Sequence, residues 1–387
     1  MELIFYAPVW GQSGFEQLSR GLILALDQMG VQIELRPAQD WNVERVGLSR
    51  DTVSRLLRMM NNHVSPLAPH VIYQLPKGQP VSDKAPVICY TLFETDRCPI
   101  SWVDALSKMD KILVFSEFNR KAWAKALPED KLGVLPPAVD SFLYNPNGPR
   151  MNITNKKGFV FLSSGDFTER KNFEAVIEAY MKEFSSKDPV TLIMKVHYGG
   201  FVKKHRRECL KRLQEISQRF AGQNPPKILF YGDKISNHAM AALYRSADCF
   251  ILTSRGEGLG MQYLEAMASG VPIIACDWSA HTDYLDAFNS YPVTTTLKYI
   301  DDPNYILKCP QALNSKWCQP NILDVMAAMR HVVDNYGEAK GKAEKALVTA
   351  RDMTWQNMAI EFIKHVVNLY KPKTTQVPLA VAQEVAS

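Results

Sequence analysis

The chain alternates short apolar runs with amphipathic segments along most of its length. The runs 3–9, 31–35 and 111–115 have the length and composition of buried strands. Between the first two, apolar residues over 15–29 recur at helical spacing, and the pattern stops at Gly30. Strands that alternate with helices form right-handed βαβ units, so the pattern predicts an α/β fold with parallel sheets covered on both faces.

The alternation breaks once, in a segment rich in Pro, Gly and Asn over 133–158 that has no periodicity and predicts a domain linker. It then resumes at GFVFLSSG. The sequence therefore predicts two doubly wound, Rossmann-like domains that face each other across a cleft. The predicted boundaries are 1–145 for the first domain, 146–354 for the second, 355–370 for a closing helix and 371–387 for a flexible tail.

Composition narrows the class of protein. The 387 residues are 46% hydrophobic and 22% charged, as in soluble globular proteins, and the formal net charge is +5. No apolar run reaches the roughly 18 residues that span a bilayer, and the first residues do not resemble a secretory signal. The seven cysteines form no Cys-x-x-Cys pair, which favours free thiols in the cytoplasm.

The densest functional pattern is SRGEGLGMQYLEAMASGVPIIA, which begins at Ser254. Its glycines allow a tight turn into a helix, and a helix N-terminus offers free N–H groups and partial positive charge to an anion. Glu257 precedes that helix, and Glu265 lies two turns further along on a face that can look back at the loop. On spacing alone, glutamates that merely complement the helix dipole explain the pattern about as well.

A second pattern, SSGDFTERKN over 163–172, follows the first strand of the second domain. Arg170 and Lys171 stand where a strand-end loop meets a helix. Two cations there suit a diphosphate, whose charge must be neutralised. An ordinary solvated turn is the alternative, and the shared sheet edge with the Glu257 loop favours the diphosphate.

These residues resemble a known family. The stretch EGLGMQYLEAMASGVPIIA looks like the signature of retaining glycosyltransferases of family four (group 1), which have the GT-B fold. The stretch 90–120 resembles a bacterial or phage-like branch with a Phe-Glu-Thr-Asp-Arg-x-Pro motif. Supporting matches extend over 13–30, 134–140, 243–260 and 317–321.

The resemblance implies a role for each matching residue. Arg170 and Lys171 would bind the donor diphosphate and Glu257 would face the transferred sugar, which makes these three the catalytic candidates. Glu265 would accept hydrogen bonds from the ribose, and the closing helix would return toward the first domain. The implied donor-binding positions are Gly11, Gly14, Ser164, Gly165, Arg170, Lys171, Lys234, Ile235, Gly258, Leu259, Gly260 and Glu265.

The implied activity is transfer of a hexose-type sugar, with retention, from a nucleotide diphosphate sugar of the UDP or GDP type to a hydroxyl acceptor on a glycan, a lipid or another molecule. No cofactor is implied, and no metal is expected because no Asp-x-Asp motif with apolar flanks occurs. Many relatives place a histidine where this chain has TLFETD. Glu94 and Thr95 are therefore the acceptor-side candidates, and Asp96 is a candidate cap for the next helix.

Basic residues are concentrated over 203–212. A solvated helix face is the favoured interpretation. Nucleic acid is the alternative partner, which would make the enzyme one that glycosylates modified bases of DNA or RNA, and peripheral contact with an anionic membrane also stays open. A further alternative is an inactive subunit that binds a nucleotide sugar.

Overall fold

Two parallel sheets form the framework of the protein. The computed structural model describes residues 1–11, 13–38, 47–74, 76, 82–197 and 203–370, with the backbone alone for 203–206. The predicted flexible tail, 371–387, lies outside these residues.

The described part of the first domain contains six parallel strands in the order β2-β1-β3-β4-β5-β6. Helices connect these strands, and the side chains of Ser13 and Ser49 cap the first two of them. The strands are β1 (Glu2–Ala7), β2 (Gln32–Pro37), β3 (His70–Ile72), β4 (Val87–Tyr90), β5 (Lys111–Val114) and β6 (Leu132–Val134), and the helices are α1 (Gly14–Gln28), α2 (Arg50–Met60), α3 (Ile100–Ser107) and α4 (Glu117–Trp123).

The second sheet has the described strand order β12-β11-β10-β7-β8-β9 and is also parallel. Its strands are β7 (Phe159–Asp166), β8 (Val190–His197), β9 (Lys227–Tyr231), β10 (Cys249–Leu252), β11 (Ile273–Cys276) and β12 (Tyr291–Val293). The helices that cover it are α5 (Phe173–Glu183), α6 (Lys203–Phe220), α7 (Asn237–Arg245), α8 (Met261–Ala268), α10 (Ile322–Asp334) and α11 (Tyr336–Arg351). The prediction of two doubly wound α/β domains is confirmed.

One detail differs from the sequence prediction. The segment 133–158 does not begin as a linker, because β6 enters it and pairs with β5 through Gly133 and Val134. Pairing with a buried neighbour fixes an extended conformation there without any periodicity of its own. Strand β10 ends at Leu252, and the residues after it form the loop that carries Glu257.

An antiparallel hairpin interrupts the second domain. It consists of β13 (Thr295–Tyr299) and β14 (Lys316–Pro320), with α9 (Pro303–Lys308) between them. Tyr305 and Trp317 are buried in one apolar cluster with Trp102 and Trp123 of the first domain. This shared cluster holds the two domains together on one side of the cleft.

The closing helix, α12 (Trp355–Asn368), packs on the first domain. A Cβ placed on Gly21 of α1 would lie 2.5 Å from the Trp355 ring, and one on Gly133 would lie 2.7 Å from His365. The two glycines therefore permit the close approach of α12.

Candidate active site

A cavity of about 610 Å³ lies between the carboxyl edges of the two sheets. The start of α1 and the segment after β4 line it from the first domain. The end of β8 and the loops after β7, β9 and β10 line it from the second. The predicted site residues that line it are Gly14, Glu94, Ser164, Gly165, Arg170, Lys171, Lys234, Ile235, Glu257, Gly258, Leu259, Gly260 and Glu265, whereas Gly11 and Thr95 do not.

The loops after β7 and β10 are joined because these strands are neighbours in the sheet. The Arg255 backbone N–H donates to the Arg170 carbonyl at 2.7 Å, and the Ser254 hydroxyl donates to the same oxygen at 3.2 Å. The cations of one loop and the glutamate of the other are thereby fixed relative to each other.

Four charged side chains meet at the base of the cavity. Lys171 Nζ lies 2.6 Å from Glu257 Oε1, and Arg170 Nη1 lies 3.2 Å from Glu257 Oε2. Arg170 Nη2 also lies 3.3 Å from Glu94 Oε1, across the domain boundary. The two cations and two carboxylates form a cluster, here called the cleft ion cluster. In it, the two residues predicted to bind the diphosphate contact the glutamate predicted to face the sugar.

The charges in the cluster stabilise one another against burial. Burial alone would raise the pKa of Glu257, but Lys171 and Arg170 hold it at about 2. Burial lowers the pKa of Lys171, an effect that Glu257 partly offsets. Glu94 and Glu257 outweigh burial at Arg170 and raise its pKa. The ion pairs therefore favour the charged forms of Glu257 and Arg170.

A buried hydrogen-bond chain positions Glu257 from behind. The Glu257 N–H donates to Ser279 Oγ at 3.0 Å, and Ser279 Oγ lies 3.3 Å from His281 Nδ1. His281 Nε2 lies 2.7 Å from the Cys276 carbonyl, which can only accept, so Nε2 carries the proton and Nδ1 accepts from Ser279. Burial lowers the pKa of His281, which favours this neutral form. No local sequence pattern identified Ser279 or His281.

Two glycines of the Glu257 loop permit close contact between the two domains. A Cβ on Gly256 would lie 2.1 Å from the Glu94 carbonyl oxygen, and one on Gly258 would lie 2.5 Å from Leu92 Cδ1. Gly260, with φ of 84°, is the residue from which α8 begins. The loop is therefore glycine-rich in part because the first domain passes so close to it.

Glu265 lies in a separate part of the cavity with tyrosine partners. The Tyr244 hydroxyl donates to Glu265 Oε2 at 2.9 Å and lies 3.3 Å from Ser164 Oγ. Burial raises the pKa of Glu265 to about 7, and hydrogen bonds from Tyr244 and Tyr144 limit the rise. Because each carboxylate oxygen can accept more than one hydrogen bond, Glu265 can also accept from a ligand hydroxyl.

Lys195 and His197 at the end of β8 also line the cavity, and the sequence analysis missed them. Burial, followed by the positive charges of Lys195 and Lys171, lowers the pKa of His197 to about 4. The signal was present, since polar residues at the carboxyl end of a buried parallel strand face the ligand edge of such a sheet.

The first-domain loop differs from the expectation that its backbone faces a diphosphate. The Gly11 and Ser13 N–H groups donate to the Glu16 carboxylate at 2.7 and 3.0 Å, and Arg20 donates to the Gly11 carbonyl at 2.5 Å. These N–H groups are already engaged within the domain. Gly14, the first residue of α1, does line the cavity.

The two acceptor-side candidates have different surroundings in the structure. Glu94 lines the cavity, whereas Thr95 is buried and donates to the Arg97 carbonyl at 3.1 Å. Asp96 does not cap α3, whose cap position is Pro99. Instead it accepts the Lys316 N–H at 2.6 Å and ties the hairpin to the first domain.

The basic segment 203–212 lies on α6. Two of its described cations have acidic neighbours, since Arg212 lies 3.8 Å from Glu169 and Lys211 lies 3.8 Å from Glu215. The side chains of Lys203, Lys204 and Arg206 lie outside the described residues. Nothing in the described part of the segment favours nucleic acid as a partner.

Known proteins share the fold of this chain and part of its sequence. The GT-B fold is confirmed by solved structures of low sequence identity. HepE from Anabaena in complex with UDP-glucose has a TM-score of 0.63 at 12% identity, covering 95% of this chain and 100% of that one. Sucrose-phosphate synthase from Thermosynechococcus elongatus has a TM-score of 0.65 at 14% identity, covering 96% and 99%.

Residues 149–290, which include the cleft cations and both glutamates of the β10 loop and α8, match the family model of group 1 glycosyl transferases. Mannosylfructose-phosphate synthase of Agrobacterium fabrum is 24% identical over 185 residues, which is 44% of this chain and 40% of that protein. The chain spans two fifths or less of the length of the curated relatives it matches.

The described residues contain neither a membrane-spanning helix nor a cluster of metal ligands. None of the described helices is long and apolar enough to cross a membrane. Within the same residues, no group of three or more His, Cys, Asp or Glu side chains is arranged to hold a metal ion.

Proposed function

We propose that the protein is a retaining glycosyltransferase that moves a hexose-type sugar from a nucleotide diphosphate sugar to a hydroxyl acceptor. The observation that carries the proposal is that Arg170, Lys171 and Glu257 of the cleft ion cluster share one cavity with Glu265. All four residues lie within the segment that matches group 1 glycosyl transferases. The cavity volume of about 610 Å³ is in the usual range for ligands of this size.

The donor would span the cavity along the edge of the second sheet. Arg170 and Lys171 would hold the diphosphate, and Glu265 would accept hydrogen bonds from the ribose. Lys234 and Ile235, after β9, would lie by the base. The bound UDP-glucose of HepE makes a UDP donor the first candidate, with GDP the second.

The catalytic contribution would be electrostatic. As the bond between the anomeric carbon and the diphosphate breaks, negative charge grows on the leaving group, and Arg170 and Lys171 would stabilise it. Glu257, fixed by Ser279 and by both cations, would stand opposite the sugar, whose ring gains positive charge. In transfer with retention, the departing diphosphate can take the acceptor proton on the same face.

The acceptor would approach from the first domain, where Glu94 lines the cavity. A glycan or a lipid-linked hydroxyl are the candidates. The seven free thiols of the chain suit the reducing cytoplasm, where we propose that the protein acts.

The test is a thermal-shift panel of UDP, GDP and ADP with their sugars, followed by measurement of slow donor hydrolysis. A selected nucleotide sugar at 100 times its Kd stabilises the fold by about 2.7 kcal/mol. Stabilisation together with hydrolysis supports the proposal. Binding without any turnover favours an inactive nucleotide-sugar-binding subunit, and the absence of binding to every nucleotide contradicts the donor site.

A further inference from the structure

Arg170 is shared by carboxylates from both domains. Glu257 contacts Nη1 from the second domain, and Glu94 contacts Nη2 from the first. With Lys171 included, the cleft ion cluster contains two positive and two negative side chains. Its charges are therefore balanced before any ligand arrives.

The ligand that the proposed function requires is a diphosphate diester, and it would disturb this charge balance. The ligand brings two further negative charges to the same two cations, so one of the carboxylates must give up its place. A charged side chain that loses its partner inside the protein destabilises the fold. The less buried carboxylate can leave the cluster at the lower free-energy cost.

The structure shows which carboxylate is held less strongly. The Glu257 side chain is 6% exposed, lies 2.6 Å from Lys171 and is fixed through its backbone N–H by Ser279. The Glu94 side chain is 21% exposed, and its ion pair with Arg170 is longer, at 3.3 Å. Glu94 can therefore turn into the solvated cavity, whereas Glu257 cannot.

We propose that Glu94 is an internal competitor of the donor diphosphate, which pairs with Arg170 in the free protein and is released toward the acceptor when the donor binds. The freed carboxylate then accepts hydrogen bonds from the acceptor hydroxyl on the first-domain side of the cavity. Donor binding thus prepares the acceptor site, and the donor binds before the acceptor.

The first test is calorimetric titration of UDP, and of inorganic pyrophosphate as a probe independent of the base, into wild type, Glu94→Gln and Asp104→Asn. Asp104 also carries a negative charge in the first domain, but it is 85% exposed on α3. Glu94→Gln should lower the Kd of both probes by about fivefold, because an ion pair of this exposure contributes at that scale. Asp104→Asn should leave both unchanged.

The second test uses water as the acceptor. At saturating UDP-glucose, Glu94→Gln should hydrolyse the donor about tenfold more slowly than wild type although it binds UDP more tightly. A merely structural role would weaken both binding and hydrolysis. If Glu94→Gln does not fold, Glu94→Asp, which withdraws the carboxylate from Arg170, should still tighten pyrophosphate binding.

Equal or weaker binding of both probes by the folded Glu94 variant overturns the inference, as does unchanged or faster hydrolysis. If neither probe nor any other nucleoside diphosphate binds to wild type, the proposed function fails and the inference fails with it. Binding to wild type without tightening in the variant rejects the inference and leaves the donor site intact.

Discussion

The two glycine-containing loops on opposite sides of the cavity differ in where their polar groups point. Before α1, the Gly11 and Ser13 N–H groups bind the Glu16 carboxylate within their own domain. Before α8, the loop directs Glu257 to two cations of the neighbouring loop, and Gly256 admits the first domain. Similar strand–glycine–helix patterns thus produce one internally satisfied loop and one that presents charge to the cavity.

The largest effect is expected when one cation is removed from the cleft ion cluster. Lys171→Met leaves the buried Glu257 with Arg170 alone, so the free energy of unfolding should fall by about 3 kcal/mol. Donor turnover should fall about a thousandfold, since a cation at the leaving group is lost. Denaturant unfolding and a donor hydrolysis assay measure the two effects.

The matched control is the double variant Lys171→Met/Glu257→Gln, which removes both members of the pair. It should regain most of the lost stability while remaining inactive. Recovery of turnover in the double variant would show that the pair acts in folding rather than on the donor.

The next effect tests the claim that Gly256 serves the interface. A Cβ there would lie 2.1 Å from the Glu94 carbonyl, so Gly256→Ala must part the domains and should cost about 1–3 kcal/mol. Gly341→Ala, in the interior of α11 with open space around it, should instead stabilise the protein by about 0.5–1 kcal/mol. Equal thermal stability of the two variants would argue against the close approach.

A smaller effect concerns pH and Glu265. Its folded pKa of about 7 lies above the unfolded value, so its contribution to stability is complete at acid pH and is lost as the pH rises through 7. The ionised form is the better acceptor for the ribose, so UDP-glucose affinity should rise by up to about tenfold between pH 6 and pH 8.

Calorimetry across this range measures the dependence, and UDP-glucose is preferred to UDP because its diphosphate diester does not titrate there. Glu265→Gln should show a flat profile. A rise of the same size in the variant would assign the pH dependence to another group.

The smallest effect on the donor is expected in the first-domain loop. Glu16→Gln disturbs the capping of α1 and should cost about 1 kcal/mol of stability. We expect it to change the Kd of UDP-glucose less than twofold, since the Gly11 and Ser13 N–H groups donate within their own domain. A clearly lower Kd would mean that Glu16 occupies an anion site that the donor also uses.

The sequence predicted the components of the site better than their contacts. Arg170, Lys171 and Glu257 follow from local patterns, because charged residues at the ends of parallel strands lie at one sheet edge. That Glu257 pairs with both cations depends on the adjacency of β7 and β10, which are about 80 residues apart in the chain.

The remaining contacts arise from packing between distant segments. The chain from Glu257 through Ser279 to His281, and the pair of Glu94 with Arg170, have no local signature. The engagement of Gly11 by Glu16 was visible only as a Ser-x-x-Glu capping pattern, which says nothing about the cavity. Motifs located the site, and the tertiary fold determined which groups face the ligand.

A crystal structure with bound UDP-glucose would test the donor site most directly. The account predicts the diphosphate within hydrogen-bond distance of Arg170 and Lys171, the ribose at Glu265, and Glu94 withdrawn from Arg170. A diphosphate bound elsewhere, with the cleft ion cluster unchanged, would contradict it.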